Sequence, residues 1–205
     1  MIIGIDVDGV VLDLYAWLEK RMKKYSKQIL GKKVCNKHGR HIYERYGLTK
    51  AQDEAFWDLY RWDYSKQVKS FKGLKKYFTI LKKQGHELYF ITARNCAGKD
   101  DEEGREMRRL IEKSLLDAGA VYDKIIYTSE DKSKIHACLE NKVDVMIDDS
   151  TGNILELKDK LFCIIYDHKY NRWLKGVARA KNWKGVCRVI RSFSSTTKVR
   201  ENESN

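Results

Sequence analysis

The sequence predicts an α/β protein with five parallel strands, helices on both faces of the sheet and a small helical insertion after the first strand. Apolar runs rich in β-branched and aromatic residues mark the strands at residues 1–5, 87–92, 124–128, 144–148 and 161–166. From residue 87 onward, segments with helical spacing separate these runs, and such alternation is typical of parallel strands joined by right-handed crossovers. A chain of 205 residues can bury a full core, so we expect one domain that carries an insertion.

The first strand ends in two carboxylates. Asp6 and Asp8 lie two residues apart, and side chains at that spacing on a strand point to the same side. Gly9 allows the backbone to turn sharply where the strand ends. Because open α/β sheets bind ligands at the carboxyl ends of their strands, this stretch predicts a ligand site there.

Three helices are predicted between the first and second strands. The first spans residues 14–29, where apolar residues recur every three or four positions. Residues 31–47 lack this periodicity and are predicted to form a loop. A capping box at Thr49 precedes the second helix, which reaches about residue 62, and the third helix spans residues 74–84.

Basic residues are concentrated in and beside this insertion. The chain has a formal net charge of +12, and residues 13–80 contain 17 Lys and Arg against 7 Asp and Glu. An electropositive surface of this kind attracts a phosphorylated small molecule or a nucleic acid. Solvated lysines on helix faces would give the same count, so the charge alone does not select one interpretation.

The remaining elements complete the alternation. Helices are expected at residues 107–119, 135–139, 154–158 and 183–190, and the serine-rich residues 194–205 are expected to be disordered. No apolar run approaches the roughly 18 residues that a membrane span needs. The 5 cysteines lack paired spacing, which is typical of reduced thiols, so we expect a cytoplasmic protein. The sequence assigns no oligomeric state.

Polar residues also follow the later strands. Thr92 closes the second strand, Lys132 follows the third, and Asp148 and Asp149 close and follow the fourth. Together with DVDGV at residues 6–10, this order resembles the four motifs of the haloacid-dehalogenase superfamily of phosphotransferases. The segments GHELYFITAR, MIDDS, YNRW and NWKGV look most like its 5′(3′)-deoxyribonucleotidase-like branch.

The resemblance implies a Rossmann-like core domain made of residues 1–13 and 71–193, a helical cap made of residues 14–70, and Mg²⁺-dependent hydrolysis of a small phosphate monoester. A 5′-nucleotidase-like activity is the leading expectation, and a sugar or polyol phosphate stays open as the substrate. A nucleic-acid-binding protein on a phosphatase scaffold is a more distant alternative. The dehalogenases of the superfamily lack a carboxylate two residues after the nucleophile, so Asp8 favours phosphoryl transfer.

These residue types suit phosphate chemistry. Asp6 would attack phosphorus, and Asp8 would protonate the leaving group and then activate water. Thr92 and Lys132 would hold the phosphoryl oxygens, with Lys134 an alternative to Lys132. Gathered carboxylates repel one another unless a cation joins them. The candidate Mg²⁺ ligands are Asp6, Asp8, Asp148 and Asp149.

Substrate contacts are expected from two places. Ala93 and Arg94 follow Thr92 directly. Tyr15 and Trp17 begin the first helix of the cap, where an aromatic ring could stack on a nucleobase. The other cap aromatics that could do so are Tyr43, Tyr46, Phe56, Trp57 and Trp62.

A second metal site has a weaker signal. Cys35, His38 and His41 have C-x₂-H-x₂-H spacing in the predicted loop. Zinc needs a fourth ligand, which the neighbouring sequence does not clearly offer, so an ordinary polar loop is the favoured interpretation.

Overall fold

The computed structural model describes residues 1–25, 31, 34–36, 38–94, 96–128 and 133–203, with side chains described to residue 195. Its strands are β1 (Ile2–Asp6), β2 (Glu87–Thr92), β3 (Lys124–Tyr127), β4 (Val145–Asp148), β5 (Phe162–Tyr166) and β6 (Ala178–Ala180). They form one parallel sheet in the order β3-β2-β1-β4-β5-β6. The predicted fold class is confirmed, although the sheet has six strands where five were expected. The strand β6 was missed because three residues, two of them alanine, carry no periodic signal.

The helices are α1 (Leu14–Tyr25), α2 (Ile42–Tyr46), α3 (Lys50–Gln67), α4 (Leu74–Lys83), α5 (Glu102–Asp117), α6 (Lys134–Glu140), α7 (Thr151–Leu157) and α8 (Trp183–Glu203). The predicted capping box is present, since the Thr49 hydroxyl accepts from the Gln52 amide at 3.2 Å and the Gln52 side chain accepts from the Thr49 amide. Within the described chain, every helix is too short or too polar to traverse a lipid bilayer.

Two segments differ in secondary structure from expectation. The short α2 lies inside residues 31–47, where a loop was expected; five residues are too few to show a helical period. The predicted continuation of the first helix over residues 26–30 lies outside the described residues. The helix α8 continues through the segment from residue 194 where disorder was expected, and the Ser194 hydroxyl donates to the Ile190 carbonyl at 3.0 Å. No glycine or proline interrupts this segment, so its polar composition is compatible with a solvated helix.

Each face of the sheet buries its own apolar cluster. On one face, alternate residues of the central strands such as Ile3 and Ile5 pack with α4, α5 and α8. On the other face, Met146 and Cys163 pack with α6 and α7. Gly4 keeps the sheet closely packed there, because a Cβ at this position would lie 2.9 Å from the Met146 sulfur. The two clusters fix the strands, and therefore the positions of the strand ends.

A third apolar cluster is formed by α1, α2, α3 and Leu48, and Val68 contacts both this cluster and the sheet cluster that includes Ile3. Its buried centre includes Met22, Phe56 and Tyr64. Two chain segments join it to the sheet, and they are hydrogen-bonded to each other from the Asp13 amide to the Lys69 carbonyl at 2.8 Å. This separate cluster supports the proposed division into a cap of residues 14–70 and a core.

The last helix, α8, is hydrogen-bonded to the loop that follows β1. The Trp183 indole N–H donates to the Val10 carbonyl at 3.0 Å, and the ring packs edge-on against Phe78 with 4.9 Å between centroids. Trp183 is 2% exposed. The indole therefore ties the chain just beyond Asp8 to the underlying core.

We expect Trp183→Phe to lower the free energy of unfolding by about 1–3 kcal/mol, because the buried Val10 carbonyl would lose its donor. Urea unfolding followed by circular dichroism measures this change. Trp173→Phe is the matched control: the Trp173 side chain is 62% exposed, so the same substitution there should change stability by less than about 0.5 kcal/mol. Equal effects at the two positions would contradict the role of Trp183.

Candidate active site

Three buried carboxylates meet at the carboxyl edge of the sheet. Asp6 ends β1, Asp148 ends the neighbouring strand β4, and Asp149 follows it. One oxygen of each carboxylate lies within 4.8 Å of the others, and this is the set of side chains, among the residues described, that could hold a metal ion. The parallel pairing of β1 with β4 brings them together.

The turn after β4 fixes Asp148. The Ser150 amide donates to one oxygen of Asp148 at 2.7 Å, and the Asn153 side chain donates to the other at 2.8 Å. Asp148 is completely buried. Its orientation is therefore set by its own local chain.

The lysine that contacts the cluster comes from the first turn of α6. Lys134 Nζ donates to Asp6 Oδ1 at 2.6 Å and to Asp148 Oδ2 at 3.0 Å. Burial alone would lower the pKa of Lys134, but Asp148 and Asp6 outweigh it and raise the pKa. The sequence analysis favoured Lys132 and gave Lys134 as the alternative. Lys132 lies outside the described residues, so contacts with the cluster are known only for Lys134.

Asp149 receives its partners from three separate segments. Tyr15 of α1 donates a hydrogen bond at 3.1 Å to Asp149 Oδ2, which the Tyr170 hydroxyl also contacts. Burial has the largest influence on the pKa of Arg40 and would lower it, but the interactions with Asp149, Tyr15, Tyr170 and Asp148 together raise the pKa. The other oxygen, Asp149 Oδ1, is buried without a hydrogen-bond partner in the described chain.

Gly9 makes room for Asp149. Its φ is +95°, and a Cβ there would lie 2.4 Å from Asp149 Oδ2. Both the left-handed backbone and the lack of space require glycine at this position. The turn predicted after Asp8 therefore also packs closely against the Asp149 carboxylate.

The carboxylate cluster fits a divalent cation. Burial raises the pKa of Asp6 well above its usual range, with Lys134 opposing the shift, and burial together with Asp148 raises the pKa of Asp149. Concentrated negative charge and the unpartnered oxygen of Asp149 are what a hard cation with oxygen ligands would satisfy. The residues present therefore suit such an ion.

Asp8 lies in a different environment from Asp6. Arg94 Nε donates to Asp8 Oδ2 at 3.0 Å, while Arg94 Nη2 and the Tyr64 hydroxyl contact Asp8 Oδ1. The carboxylates that lie close enough together to share a metal ion are Asp6, Asp148 and Asp149 among the described residues, and the role of Asp8 as a ligand stays a prediction. Burial and the charge of Asp8 raise the pKa of Tyr64, so this phenol stays protonated.

The turn after β2 carries Thr92 and Arg94. Thr92 is 1% exposed, and its hydroxyl oxygen accepts from the Arg94 amide at 3.2 Å. Ala93 lies exposed between them. The Arg94 side chain is 5% exposed and its Nη1 has no hydrogen-bond partner in the described chain.

A cavity of about 310 Å³ opens beside Asp8. Arg94, from the core, lines one part of the cavity. Residues of α3 line another part, including the aromatic side chains of Trp57 and Tyr64. Tyr15 and Trp17 were expected to face the substrate but do not line this cavity. Trp17 is 9% exposed and packs among the rings of the cap cluster, because its spacing from Leu18 and Met22 places it on the buried face of α1.

The second proposed metal site does not form within the described residues. The Cys35 thiol lies 3.3 Å from the Arg45 carbonyl, and the His41 ring stacks on Tyr43 with 5.1 Å between centroids. These residues and His38 are not part of a metal-binding set. His41 is the N-cap of α2, and Cys35 and His38 precede that helix.

The sequence analysis did not identify four residues that interact with the carboxylates of the site: Arg40, Tyr64, Asn153 and Tyr170. Tyr170 lies in the YNRW segment and Asn153 follows the MIDDS segment closely, so these segments carried a signal that was used only for the resemblance. Arg40 and Tyr64 come from the cap, where apolar periodicity does not identify the residues that reach the core.

Comparisons with known proteins identify the family of the chain. Residues 1–195 match the family model described as 5′ nucleotidase, deoxy (Pyrimidine), cytosolic type C protein. A Bacillus cereus protein described as a candidate nucleotidase is 26% identical over 200 residues, which cover 92% of this chain and 97% of that protein. A Clostridium acetobutylicum protein named as a nucleotidase is 24% identical over 191 residues, which cover 92% of each.

Solved structures share the fold. A haloacid dehalogenase-like family hydrolase from Xanthomonas campestris has a TM-score of 0.60 at 14% identity, with 98% of this chain and 94% of that chain covered. The family match over residues 1–195, with the acidic cluster at the expected strand ends, leads to one conclusion. This chain belongs to the cytosolic type C 5′-nucleotidase family, phosphoric monoester hydrolases, and it has the fold of a haloacid dehalogenase-like hydrolase.

Proposed function

We propose that the protein is a Mg²⁺-dependent 5′-nucleotidase that hydrolyses a nucleoside monophosphate through an aspartyl-phosphate on Asp6. One observation carries the proposal: the two carboxylates at the end of β1 lie in different environments. Asp6 lies in the acidic cluster with Lys134, while Asp8 faces Arg94 and the cavity. The first environment suits a nucleophile beside a bound cation, and the second places the Asp8 carboxylate beside the cavity, where it could exchange a proton with a leaving group.

The reaction would proceed in two displacements. An Asp6 oxygen attacks phosphorus, the bond from phosphorus to the ester oxygen breaks, and Asp8 gives its proton to that oxygen. Asp8 then takes a proton from water, whose oxygen attacks phosphorus as the bond to Asp6 breaks. The products are the nucleoside and inorganic phosphate, and both carboxylates return to their starting states.

Lys134 and Thr92 would hold the phosphoryl group. The ammonium of Lys134 already contacts Asp6 at 2.6 Å, so an oxygen of a phosphate bound to Asp6 would lie within its reach. Cations placed in a buried site stabilise charge that develops during transfer. The basic cap would favour the approach of a dianionic substrate, and the five free thiols support a cytoplasmic location.

Asp6, Asp148 and Asp149 would hold the Mg²⁺ ion. When bound, the ion would offset the repulsion between the phosphate and the carboxylates and stabilise charge on the transferring group. Asp149 has an oxygen free to bind it within the described structure. Tyr15 and Tyr170 would keep the other oxygen of Asp149 in place.

Asp6→Asn should lower phosphate release by about 10³-fold or more, because an amide cannot form the acyl-phosphate. Phosphate release from deoxynucleoside monophosphates measures this loss, and circular dichroism checks the fold. Asp117→Asn makes the same substitution on the exposed face of α5 and should keep wild-type turnover. Retention of more than a few per cent of activity by Asp6→Asn would show that Asp6 is not the nucleophile.

Removal of divalent cations with EDTA should abolish hydrolysis, and Mg²⁺ should restore it. Calcium should restore it poorly, since its larger and looser coordination shell would misplace the phosphate. A second readout is independent of activity: Mg²⁺ should raise the thermal unfolding midpoint of the wild type more than that of Asp149→Asn. Full activity in chelator, or equal stabilisation of the two proteins, would contradict the proposed metal site.

Lys134→Met should lower hydrolysis by about 10²–10³-fold, because the phosphoryl oxygens and Asp6 would lose their buried cation. Lys132→Met is the matched control and should lose much less. Steady-state turnover at saturating Mg²⁺ compares the two variants. A greater loss in Lys132→Met would assign the lysine role to Lys132 instead.

A further inference from the structure

We propose that a groove beside the attachment of the cap binds a small molecule that carries a chain of adjacent phosphate groups, at a site separate from the cavity beside Asp8. This basic groove has a volume of about 560 Å³ and lies between the start of α1 and the segment that follows α3. The basic residues that line it are Lys20, Arg21, Lys69 and Lys72. Binding there would not require the proposed nucleotidase activity.

The basic groove is more electropositive than the cavity beside Asp8. The cavity is lined by four carboxylates and two guanidinium groups, those of Asp8, Asp53, Glu54, Asp58, Arg61 and Arg94. The lining of the basic groove has four cationic side chains and one carboxylate, that of Asp13. A concave surface lined mainly by one sign of charge concentrates ions of the opposite sign. Anions are therefore drawn to the basic groove.

Three ammonium groups of the groove lack a carboxylate partner within the described structure. The side chains of Lys20, Lys69 and Lys72 are exposed and make no ion pair or hydrogen bond with another described residue. The single carboxylate does not neutralise them, since Asp13 Oδ1 accepts from the Ala16 amide at 3.1 Å at the start of α1. Like charges in one groove repel one another, and an anion placed between them replaces repulsion with attraction.

Arg21 gives the groove a cation in a fixed position. Its Nη2 atom donates to the Gln67 side chain and lies 3.3 Å from an oxygen of Asp63, and the guanidinium carbon lies 5.6 Å from the centroid of the Trp17 ring. A guanidinium has five N–H groups, and the described contacts with oxygen use only those on Nη2. Arg21 therefore has donors left for a phosphate oxygen.

The placement of the cations favours several linked phosphates over one. Lys20 and Arg21 belong to α1, whereas Lys69 and Lys72 belong to the segment between α3 and α4. A phosphate monoester carries at most about two negative charges near neutral pH, fewer than the cations of the lining. A chain of phosphates carries more charge and is extended, so it can contact both segments.

The size of the groove favours a small molecule. Its volume of about 560 Å³ falls within the range of about 300–1,000 Å³ that is usual for small-molecule sites. A nucleic-acid backbone is instead bound along an extended groove or stripe of basic residues. A nucleoside triphosphate or inorganic triphosphate has the chemistry that the basic groove would recognise.

Trp17 links the basic groove to the cavity beside Asp8. It lines the groove, its ring is stacked on Trp57 at 6.5 Å between centroids, and it meets Tyr64 edge-on at 5.1 Å. Both of these partners line the cavity. A ligand that joins α1 to the segment after α3 would restrain the cap at its attachment, and close packing would carry this restraint to the cavity.

Isothermal titration calorimetry with inorganic triphosphate and with ATP tests the site, in EDTA so that no divalent cation contributes. The wild type should bind both, and adenosine, which lacks phosphate, should not bind. The double variant Lys20→Gln, Lys69→Gln should bind both at least about 10-fold more weakly, because it loses two charged donors. Circular dichroism checks its fold.

The control removes the same charge elsewhere. Lys50→Gln with Lys184→Gln replaces two exposed lysines outside the groove and should keep the wild-type affinity. Equal binding of ATP and inorganic triphosphate would show that the phosphate chain is sufficient, and tighter binding of ATP would identify a nucleotide as the ligand.

Hydrogen exchange locates the bound anion. Inorganic triphosphate should slow amide exchange in residues 13–24 and 67–72 of the wild type but not of the Lys20→Gln, Lys69→Gln variant. Absence of binding by the wild type, or equal weakening in the two double variants, would overturn the site. Loss of binding in Lys134→Met would also overturn it, because the anion would then lie beside Asp6. Tighter binding of a single-stranded oligonucleotide than of ATP at these residues would assign the groove to nucleic acid instead.

Discussion

The arrangement of the site depends on holding buried carboxylates together against their mutual repulsion. Two unit charges about 4 Å apart repel by about 4 kcal/mol at an effective dielectric constant of 20. Lys134 bridges Asp6 and Asp148, and the hydroxyls of Tyr15 and Tyr170 converge on Asp149. Each of these partners comes from a different element, so the tertiary structure as a whole stabilises the cluster. The burial that raises the pKa of Asp6 is a consequence of this packing.

The positions of the carboxylates could be predicted from sequence because they depend on strand ends alone. In a parallel sheet the carboxyl ends of neighbouring strands share one edge, so apolar runs that end in Asp6 and Asp148 must deliver both to it. The lysine could not be assigned so firmly, because it depends on the length of a loop. Lys134 contacts Asp6 from the first turn of α6, and the start of so short a helix is difficult to predict from sequence.

The contacts between cap and core could not be predicted, because they depend on how the two parts face each other. Trp17 and Trp57 are equally good candidates for a substrate contact by composition, yet one is buried in the cap cluster and the other lines the cavity. The spacing of polar and aromatic residues along α3 did contain a signal. Asp53 and Tyr64 lie on the same helix face as Trp57, but a search for apolar periodicity passes over a face that is only partly apolar.

The cap contacts both the acidic cluster and Asp8, which lies beside the cavity. Tyr15 of α1 binds Asp149 on the side of the acidic cluster, while Tyr64 of α3 binds Asp8 on the side of the cavity. Both helices pack on the same cap cluster around Phe56. Because close-packed interiors transmit strain, a movement of the cap relative to the sheet must shift the partners of Asp8 and Asp149 together. The same movement would displace Trp57, which lines the cavity beside Asp8, so under the proposed function the position of the cap would set both the alignment of the reacting groups and the shape of that cavity.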